Sequence, residues 1–179
     1  MADNTQKTQV SNTLGTYKKA LDILNARVPG GRILDYGAGL GLGTKWMHSD
    51  SFEPNPRSGF TPTYKTSTRI PKQSYDKIVC LNVLNVLERR DRDVAVKTIA
   101  RSLTDEGYAI ITTRGRDVLN AKGELGKEKM SITTTIGTYQ KGFTQSELLQ
   151  YLRVTIGPGY EIAAVRLGPA GAIVNRRKK

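Results

Sequence analysis

A carboxylate and a row of glycines near residue 40 are the residues in this sequence best suited to hold a ligand. Asp35 closes a short apolar run, and glycines follow at every second position, namely Gly37, Gly39, Gly41 and Gly43. The apolar run is typical of a buried parallel strand, and the glycines predict a tight turn into a helix. Because glycine has no side chain, ligand atoms can lie against the backbone N–H groups of this turn. The pattern therefore predicts a site for an anionic or strongly polar ligand.

A second carboxylate, Glu53, lies at a distance along the chain that suits ribose binding. It ends a very short predicted strand and follows Asp35 by 18 residues. Rossmann-type folds place an acidic residue about 20 residues further on, where its oxygens accept hydrogen bonds from ribose hydroxyls. The dinucleotide fingerprint itself does not fit, because the sixth residue counted from Gly37 or from Gly39 is not glycine. A solvated loop acid is the alternative interpretation of Glu53.

The glycine turn, read as Asp-x-Gly-x-Gly-x-Gly, resembles motif I of the class I S-adenosylmethionine-dependent methyltransferases. Residues 74–88 resemble the Tyr/Phe-Asp-x-Val…Val-Leu-x-x-Leu region of that superfamily, in the form found in small phage and bacterial methyltransferase-domain proteins. The resemblance implies S-adenosylmethionine as the cofactor, with the turn around its methionine portion and Glu53 on its ribose. Asn82 and Val83 would approach the adenine or the methyl sulfonium. The implied cofactor-binding residues are Asp35, Tyr36, Gly37, Ala38, Gly39, Gly41, Glu53, Asn82 and Val83.

Methyl transfer requires few catalytic side chains, because the cofactor is already activated and the enzyme mainly orients the reactants. No catalytic triad is visible, and the only histidine, His48, is predicted to be a surface residue. Asn82 is placed like the first residue of the Asp/Asn-Pro-Pro-Tyr/Phe motif of amino-directed DNA methyltransferases, but Val-Leu follows it. The sequence also contains no Pro-Cys nucleophile for cytosine C5 chemistry. The predicted catalytic residues are Asn82, Tyr139 and Lys141.

Residues 137–143 combine two aromatic residues, a cation and two glycines just before a predicted helix. In a functional interpretation, Tyr139 stacks on a substrate ring while Lys141 contacts phosphate, which is how single-stranded bases are commonly held. In a structural interpretation, Tyr139 and Phe143 only fasten the loop to the core, since aromatic side chains bury large areas. The first interpretation predicts that Tyr139→Ala severely reduces methyl transfer to an oligonucleotide while cofactor affinity and melting temperature stay nearly unchanged. The second predicts that the substitution destabilises the fold.

A net charge of +12 over 179 residues favours contact with polyanions. Residues 114–130 are basic, rich in glycine and poor in apolar side chains, and they follow the carboxyl end of a predicted strand. This loop is interpreted either as a mobile surface loop or as a lid over the substrate. Nucleic acid is the expected partner, and the residues predicted to contact it are Arg114, Arg116, Lys141, Arg176, Arg177, Lys178 and Lys179.

Composition argues against several other classes of protein. No apolar run approaches the roughly 20 residues of a membrane span, so no membrane contact is expected. The single cysteine, Cys80, cannot form an intramolecular disulfide, and no metal site is predicted. We interpret Cys80 as a small buried hydrophobe, and a reducing cytoplasm is the expected location.

Alternating helices and strands must position these residues. Helices are predicted to begin near residues 12, 42, 91 and 144, the last with Thr144 and Glu147 as a capping box. Prolines interrupt both helical and strand periods between residues 54 and 71, so a helix is predicted to be missing there and any third strand to be short, near residues 63–68. Residues 104–107 are predicted to form a turn. One predicted strand ends at Asp35, and the others cover residues 51–53, 78–81, 108–113, 131–136, 160–167 and 172–175.

The alternation predicts an α/β fold with a mostly parallel sheet and right-handed crossovers. By resemblance, this is the Rossmann-like class I methyltransferase fold, with an antiparallel C-terminal hairpin and with the interval between strands 2 and 4 trimmed. The predicted organisation is a disordered lead at 1–11, a single methyltransferase-like domain at 12–175 and a basic tail at 176–179. Three functions remain open: methyl transfer to a nucleic acid or nucleotide, methyl transfer to a small metabolite, and a non-catalytic module that binds nucleic acid or a partner protein.

Overall fold

A computed structural model describes Lys7 and residues 14–177. The strands are β1 (Ile33–Tyr36), β2 (Asp50–Phe52), β3 (Tyr75–Leu81), β4 (Leu103–Thr113), β5 (Gly123–Leu125), β6 (Ser131–Thr134), β7 (Tyr139–Lys141), β8 (Tyr160–Ala164) and β9 (Ala170–Arg176). The α-helices are α1 (Gly15–Asn25), α2 (Leu42–Met47), α3 (Arg89–Ser102) and α4 (Gln145–Ile156). Short 3₁₀ helices cover Ser67–Arg69, Leu84–Val86 and Arg116–Asn120.

Six of the strands form one sheet in the order β2-β1-β3-β4-β9-β8. Strands β1 to β4 pair in parallel, and β9 runs antiparallel to both of its neighbours, β4 and β8. A parallel strand covered on both faces needs a continuous apolar sequence, which residues 78–81 of β3 provide. The predicted mostly parallel α/β sheet with an antiparallel C-terminal hairpin is confirmed.

Two hydrophobic cores lie on opposite faces of this sheet, because successive side chains of a strand point to opposite sides. Ile78 and Cys80 pack with α3 and α4 in one core. Val79 and Leu81 pack in the other core, to which α1 contributes Tyr17, Ala20 and Leu24. The buried position predicted for Cys80 is thereby confirmed.

The chain between β2 and β3 is trimmed as predicted, and its described residues include no α-helix. The short third strand expected near residues 63–68 is reduced to a single parallel bridge between Tyr64 and Phe52, followed by the 3₁₀ helix Ser67–Arg69. The prolines of this segment have no N–H group to donate, which disfavours a longer ladder. The sheet therefore ends at β2.

Residues 104–107, predicted to form a turn, instead lie inside β4. Tyr75 of β3 pairs with Leu103, and Lys77 pairs with Tyr108, so the extra residues form an irregularity in the ladder. A bulge of this kind accommodates additional residues on one strand without ending the pairing. The predicted turn is therefore wrong.

A second, three-stranded antiparallel sheet has the order β5-β6-β7. Residues 114–130, predicted to be a loop, contribute the 3₁₀ helix Arg116–Asn120 and strand β5. Strand β5 was not predicted, because it is held by its ladder to β6 and not by apolar burial: all three of its residues are exposed. Strand β7 packs against the 3₁₀ helix Leu84–Val86, just past the carboxyl end of β3. We call this second sheet the roof.

The capping box of α4 is confirmed, because the Thr144 side chain accepts the N–H of Glu147 at 3.2 Å and the Glu147 carboxylate accepts the N–H of Thr144 at 2.9 Å.

At the C-terminal end of the domain, Arg176 belongs to β9, so the strand extends beyond the predicted start of the tail. The predicted lead at 1–11, apart from Lys7, lies outside the described residues, as do Lys178 and Lys179. No helix of the described chain is long and apolar enough to cross a membrane.

Candidate active site

The glycine turn after β1 adopts a backbone that only glycine takes up readily. Gly37, Gly39 and Gly41 have φ angles of +79°, +55° and +77°, which are strained for residues with a side chain. A Cβ on Gly37 would lie 2.3 Å from Cγ2 of Val83, and one on Gly41 would lie 2.3 Å from the Phe60 ring. The alternating glycines therefore meet both a conformational and a steric requirement at this turn.

Glu53, immediately after β2, is buried beside the turn. One carboxylate oxygen accepts the backbone N–H of Gly39 at 2.9 Å, and the other accepts the N–H of Asn55 at 3.1 Å. The side chain lines the cleft described below. The interpretation of Glu53 as a solvated loop acid is therefore wrong, and its placement agrees with the predicted cofactor role.

Asp35 lies beneath the turn and is not among the described residues that line the cleft. Its two oxygens accept the hydroxyl of Tyr17 at 3.1 Å and that of Thr44 at 2.7 Å. Burial raises the pKa of Asp35 to about 6, although these two hydrogen bonds oppose the shift. Predicted to contact the cofactor, Asp35 instead joins α1 and α2 to the turn. The geometry thus gives Asp35 a supporting position, and direct contact with the cofactor stays a prediction.

Asn82 and Val83 follow β3 and line the cleft, as predicted. Asn82 has a φ of +56°, and its N–H donates to the backbone oxygen of Thr112 at 3.0 Å. A left-handed conformation is uncommon outside glycine, but asparagine adopts it more readily than most residues. The bond to β4 holds this bend, so the exposed Asn82 side chain stands at the carboxyl edge of the sheet.

The turn and the strand ends open into a cleft of about 760 Å³. Its floor contains Tyr36, Gly37, Ala38, Gly39, Phe52, Glu53, Leu81, Asn82 and Val83. The roof and the segments that flank it contribute Arg114, Lys122, Thr134, Thr135, Ile136, Thr138 and Gln140. A cavity of this size is within the range of small-molecule and cofactor sites, and its position at the carboxyl ends of parallel strands is where such folds bind ligands.

Tyr139 and Lys141, predicted to hold a substrate base and its phosphate, are not among the described residues that line this cleft. The Tyr139 hydroxyl donates to Oε1 of Glu128 at 2.5 Å. The Lys141 ammonium is buried and donates to the carbonyls of Lys129 and Gly142 at 2.7 and 2.9 Å. Alternation along β7 accounts for this placement, because Gln140 faces the cleft and its two neighbours point to the other side of the roof. The geometry favours the structural interpretation of this segment over the functional one.

The basic residues predicted to contact nucleic acid do not form one surface. Arg114 follows β4 at the cleft, where its guanidinium donates to Asp117 at 2.6 Å. Arg116 is exposed but is not among the cleft residues. Arg176 pairs with Asp105 at 3.2 Å, and Arg177 follows it, at the opposite, amino edge of the parallel strands.

Two carboxamide side chains that were not predicted as site residues, those of Asn85 and Gln140, also line the cleft. The Asn85 side chain is almost completely buried, and neither its Oδ1 nor Oε1 of Gln140 has a hydrogen-bond partner within the described chain. Buried polar atoms are ordinarily paired, so these oxygens mark places where a ligand can donate hydrogen bonds. A sequence feature that could have indicated Asn85 is its position as a second asparagine, three residues after Asn82, in an otherwise apolar run.

Two further expectations concern His48 and metals. His48 follows α2 and is exposed, which confirms its prediction as a surface residue. Within the part of the chain that is described, no group of three or more histidine, cysteine, aspartate or glutamate side chains lies close enough to hold a metal ion.

The parallel sheet, the glycine turn after β1 and the carboxylate after β2 together define a class I, Rossmann-like methyltransferase domain. The family model described as "Methyltransferase domain" matches residues 13–153, and the chain belongs to this family. A search of curated proteins finds no match to the sequence.

Solved structures share the fold at low sequence identity. One is 1,6-didemethyltoxoflavin-N1-methyltransferase from Burkholderia thailandensis with bound 1,6-didemethyltoxoflavin and S-adenosylhomocysteine, with a TM-score of 0.68 at 15% identity over 99% of this chain and 85% of that chain. A second is a sugar N-methyltransferase from a Streptoalloteichus species, with a TM-score of 0.68 at 14% identity over 99% of this chain and 93% of that one. A third is a SAM-bound amino pentose methyltransferase from Micromonospora echinaspora involved in calicheamicin biosynthesis, with a TM-score of 0.58 at 16% identity over 99% and 97%.

Proposed function

We propose that the protein transfers a methyl group from S-adenosylmethionine to a small-molecule acceptor held between the glycine turn and the roof. The observation that carries this proposal is the cleft of about 760 Å³, which is lined both by the turn and by the second sheet. A volume of this order suits a cofactor together with a small acceptor. An acceptor as extended as a duplex would need an open surface.

The residues around the turn fit the cofactor. Gly37, Ala38 and Gly39 line the cleft, and a polar ligand tail can lie against this backbone because the glycines carry no side chain. The Glu53 carboxylate, already oriented by two backbone N–H groups, suits a pair of ribose hydroxyls. When bound, S-adenosylmethionine would supply an activated methyl carbon, with the thioether S-adenosylhomocysteine as the leaving group.

The contribution of the chain to this reaction is to position the reactants and exclude water. Val83 packs against the turn at Gly37, and Asn82 stands beside it at the sheet edge. The roof covers the acceptor side, so the acceptor meets the methyl group in a restricted geometry. Because displacement at the methyl carbon of a sulfonium disperses its positive charge, a site that excludes water favours the reaction.

Apolar residues at the cleft favour an acceptor with an apolar body. Three of the large exposed hydrophobic side chains, those of Leu42, Val94 and Ile136, line the cleft. Asn85 and Gln140 provide the hydrogen-bond acceptors for its polar groups. The three similar structures described above are, by their names, methyltransferases of small molecules, which supports the same choice.

A nucleotide or nucleic-acid acceptor is the second candidate, because Arg114 and Lys122 are cations on the cleft lining. The net charge of +12 adds attraction for phosphate without sequence preference. Against it, the predicted basic contacts are divided between two edges of the sheet, and Lys141 is buried. The cytoplasmic location expected from the lone cysteine stays a prediction.

The test is a binding titration followed by a transfer assay. Isothermal titration with S-adenosylhomocysteine should show binding that Gly39→Arg abolishes, because the new side chain would occupy the turn. Tritiated S-adenosylmethionine should then label a component of a metabolite extract, and not DNA or RNA oligonucleotides. Labelling of the oligonucleotides would select the second candidate. Cofactor binding without any transfer would select the non-catalytic module, and absence of binding at millimolar ligand would overturn the proposal.

A further inference from the structure

A second cavity, of about 610 Å³, shares no described lining residue with the cleft. We call it the basic groove, and its walls include Arg89, Arg92, Lys141, Phe143, Tyr151 and Arg153. The groove lies between α3, α4 and the end of β7. None of the residues with predicted cofactor roles is part of it.

Arg92 is the most unusual side chain of the basic groove. It is only 1% exposed, and its guanidinium carbon lies 5.3 Å from the Phe143 ring centroid and 5.5 Å from that of Tyr151. Its single hydrogen bond within the described chain joins Nη2 to Oε1 of Glu128 at 2.7 Å. Nε is buried without a partner among the described residues. A guanidinium has five N–H donors, so most of its hydrogen-bonding capacity is unused.

Lys141 is a second buried cation beside the first. Its ammonium nitrogen lies 4.4 Å from the centroid of the same Phe143 ring that Arg92 contacts. The two hydrogen bonds it donates go to backbone carbonyls, which satisfy donors but carry no net charge. Burial, and then the nearby charge of Arg92, hold the pKa of Lys141 below its usual value, although Glu147 opposes the shift.

The charges around the basic groove do not balance. Among the described residues, four cations line it, and the carboxylates on its walls are those of Glu128 and Glu147. The Glu147 carboxylate already accepts the N–H of Thr144 in the capping box, and its Oε1 lies 3.2 Å from the Lys129 ammonium nitrogen. Three cations, those of Arg92, Lys141 and Lys129, therefore share the two carboxylates, and buried charges are costly unless they are paired. An anion in the groove would supply the missing negative charge.

We propose that the basic groove is a binding site for a phosphate-type oxyanion, separate from the methyl-transfer cleft and centred on Arg92 and Lys141. The oxyanion accepts N–H donors of Arg92 that Glu128 leaves unused, and the remaining donor of Lys141. Arg89, which is exposed and lines the groove, contributes a further positive charge. The planar fork of arginine matches the spacing of phosphate oxygens, which makes phosphate a better ligand than a monovalent halide. The site does not depend on which acceptor the cleft takes.

The experiment compares inorganic phosphate and pyrophosphate with chloride at equal ionic strength, by thermal unfolding and by titration calorimetry of the full chain. Arg89→Gln and Arg90→Gln form a matched pair, because both arginines are exposed at the start of α3 and only Arg89 lines the groove. We expect a saturable rise in Tm with phosphate, a Kd weakened about fivefold by Arg89→Gln, and no change with Arg90→Gln. Arg92→Lys, which keeps the charge beside Glu128, should weaken phosphate about tenfold.

Three results would overturn this site. They are a phosphate effect no larger than that of chloride, equal weakening by the two matched variants, and displacement of phosphate by S-adenosylhomocysteine. The last would place the anion in the cleft instead. Failure of the proposed function is seen separately, as absence of S-adenosylhomocysteine binding in the same calorimetric series or as absence of transfer in the tritium assay.

Discussion

The carboxylate of Glu53 accepts the backbone N–H of Gly39 at 2.9 Å and thereby joins the end of β2 to the turn after β1. Its other oxygen accepts the N–H of Asn55 at 3.1 Å. The carboxylate is thus held at the cleft by two backbone groups. A ligand that binds there meets an oriented anion and does not have to order a flexible side chain, which lowers the entropic cost of binding.

The first prediction is that Glu53→Gln weakens binding of S-adenosylhomocysteine by on the order of 10- to 100-fold. An amide accepts hydrogen bonds less strongly than a carboxylate and offers only one oxygen to the two ribose hydroxyls. Isothermal titration measures the change. Glu161→Gln, at an exposed position of β8, is the control and should bind like wild type. Equal affinities for the two variants would remove Glu53 from the cofactor site.

The second prediction separates steric from conformational demands on glycine. Gly30 and Gly37 have φ angles of +73° and +79°, but a Cβ on Gly30 meets nothing within 4 Å, whereas one on Gly37 would lie 2.3 Å from Val83. Gly30→Ala should cost about 1 kcal/mol of unfolding free energy from strain alone. Gly37→Ala should cost about 3 kcal/mol, because the stiff valine side chain cannot move away freely. Urea unfolding gives both values, and equal costs would show that the valine contact is unimportant.

The third prediction concerns the pH dependence of stability. Burial raises the pKa of Asp35 to about 6, whereas an unfolded aspartate titrates near roughly 3.9. The folded state therefore binds this proton more tightly, so the stabilising contribution is complete below about pH 4 and is lost as pH rises through about 6. Relative to Asp35→Asn, the unfolding free energy of wild type should fall by on the order of 2–3 kcal/mol between about pH 4 and pH 7.

The measurement for Asp35 is a series of urea unfolding curves of both proteins across this pH range. Subtracting the unfolding free energies of the two proteins at each pH removes the contributions of the titratable groups that both contain. A difference between the proteins that does not vary with pH would show that Asp35 has an ordinary pKa in the folded state.

The fourth prediction is that Tyr139 stabilises the roof and does not bind substrate. Its hydroxyl donates to Glu128, and burial raises the pKa of Tyr139 to about 12, with that hydrogen bond adding to the shift. Tyr139→Phe should therefore cost about 1–2 kcal/mol of unfolding free energy while affinity for S-adenosylhomocysteine is unchanged. Tyr108→Phe is the control, because no hydrogen bond to the Tyr108 hydroxyl is present in the described structure. Loss of methyl transfer at unchanged stability would favour the base-stacking interpretation.

Features that depend on neighbours in the chain were predictable from the sequence. The turn from Gly37 to Gly41 follows from the conformational freedom of glycine, and the capping box of α4 needs only Thr144 and Glu147. The continuous apolar run in β3 indicated a strand covered on both faces. Together these local patterns determined the fold class, the position of the cleft and the place of Glu53 beside it.

Only the tertiary structure decided the surroundings of the other candidate polar side chains, because the residues that contact them come from distant parts of the chain. Strand alternation turns Lys141 away from the cleft, and its neighbour Gln140 towards it. Arg92 meets Glu128 across 36 residues, so neither the burial of that guanidinium nor its unused donors had a signal in the sequence. Asp35 and Tyr17 likewise meet only when α1 packs on the sheet. Sequence alone determined the local geometry of the cofactor turn, and packing between distant elements decided which polar side chains face a ligand.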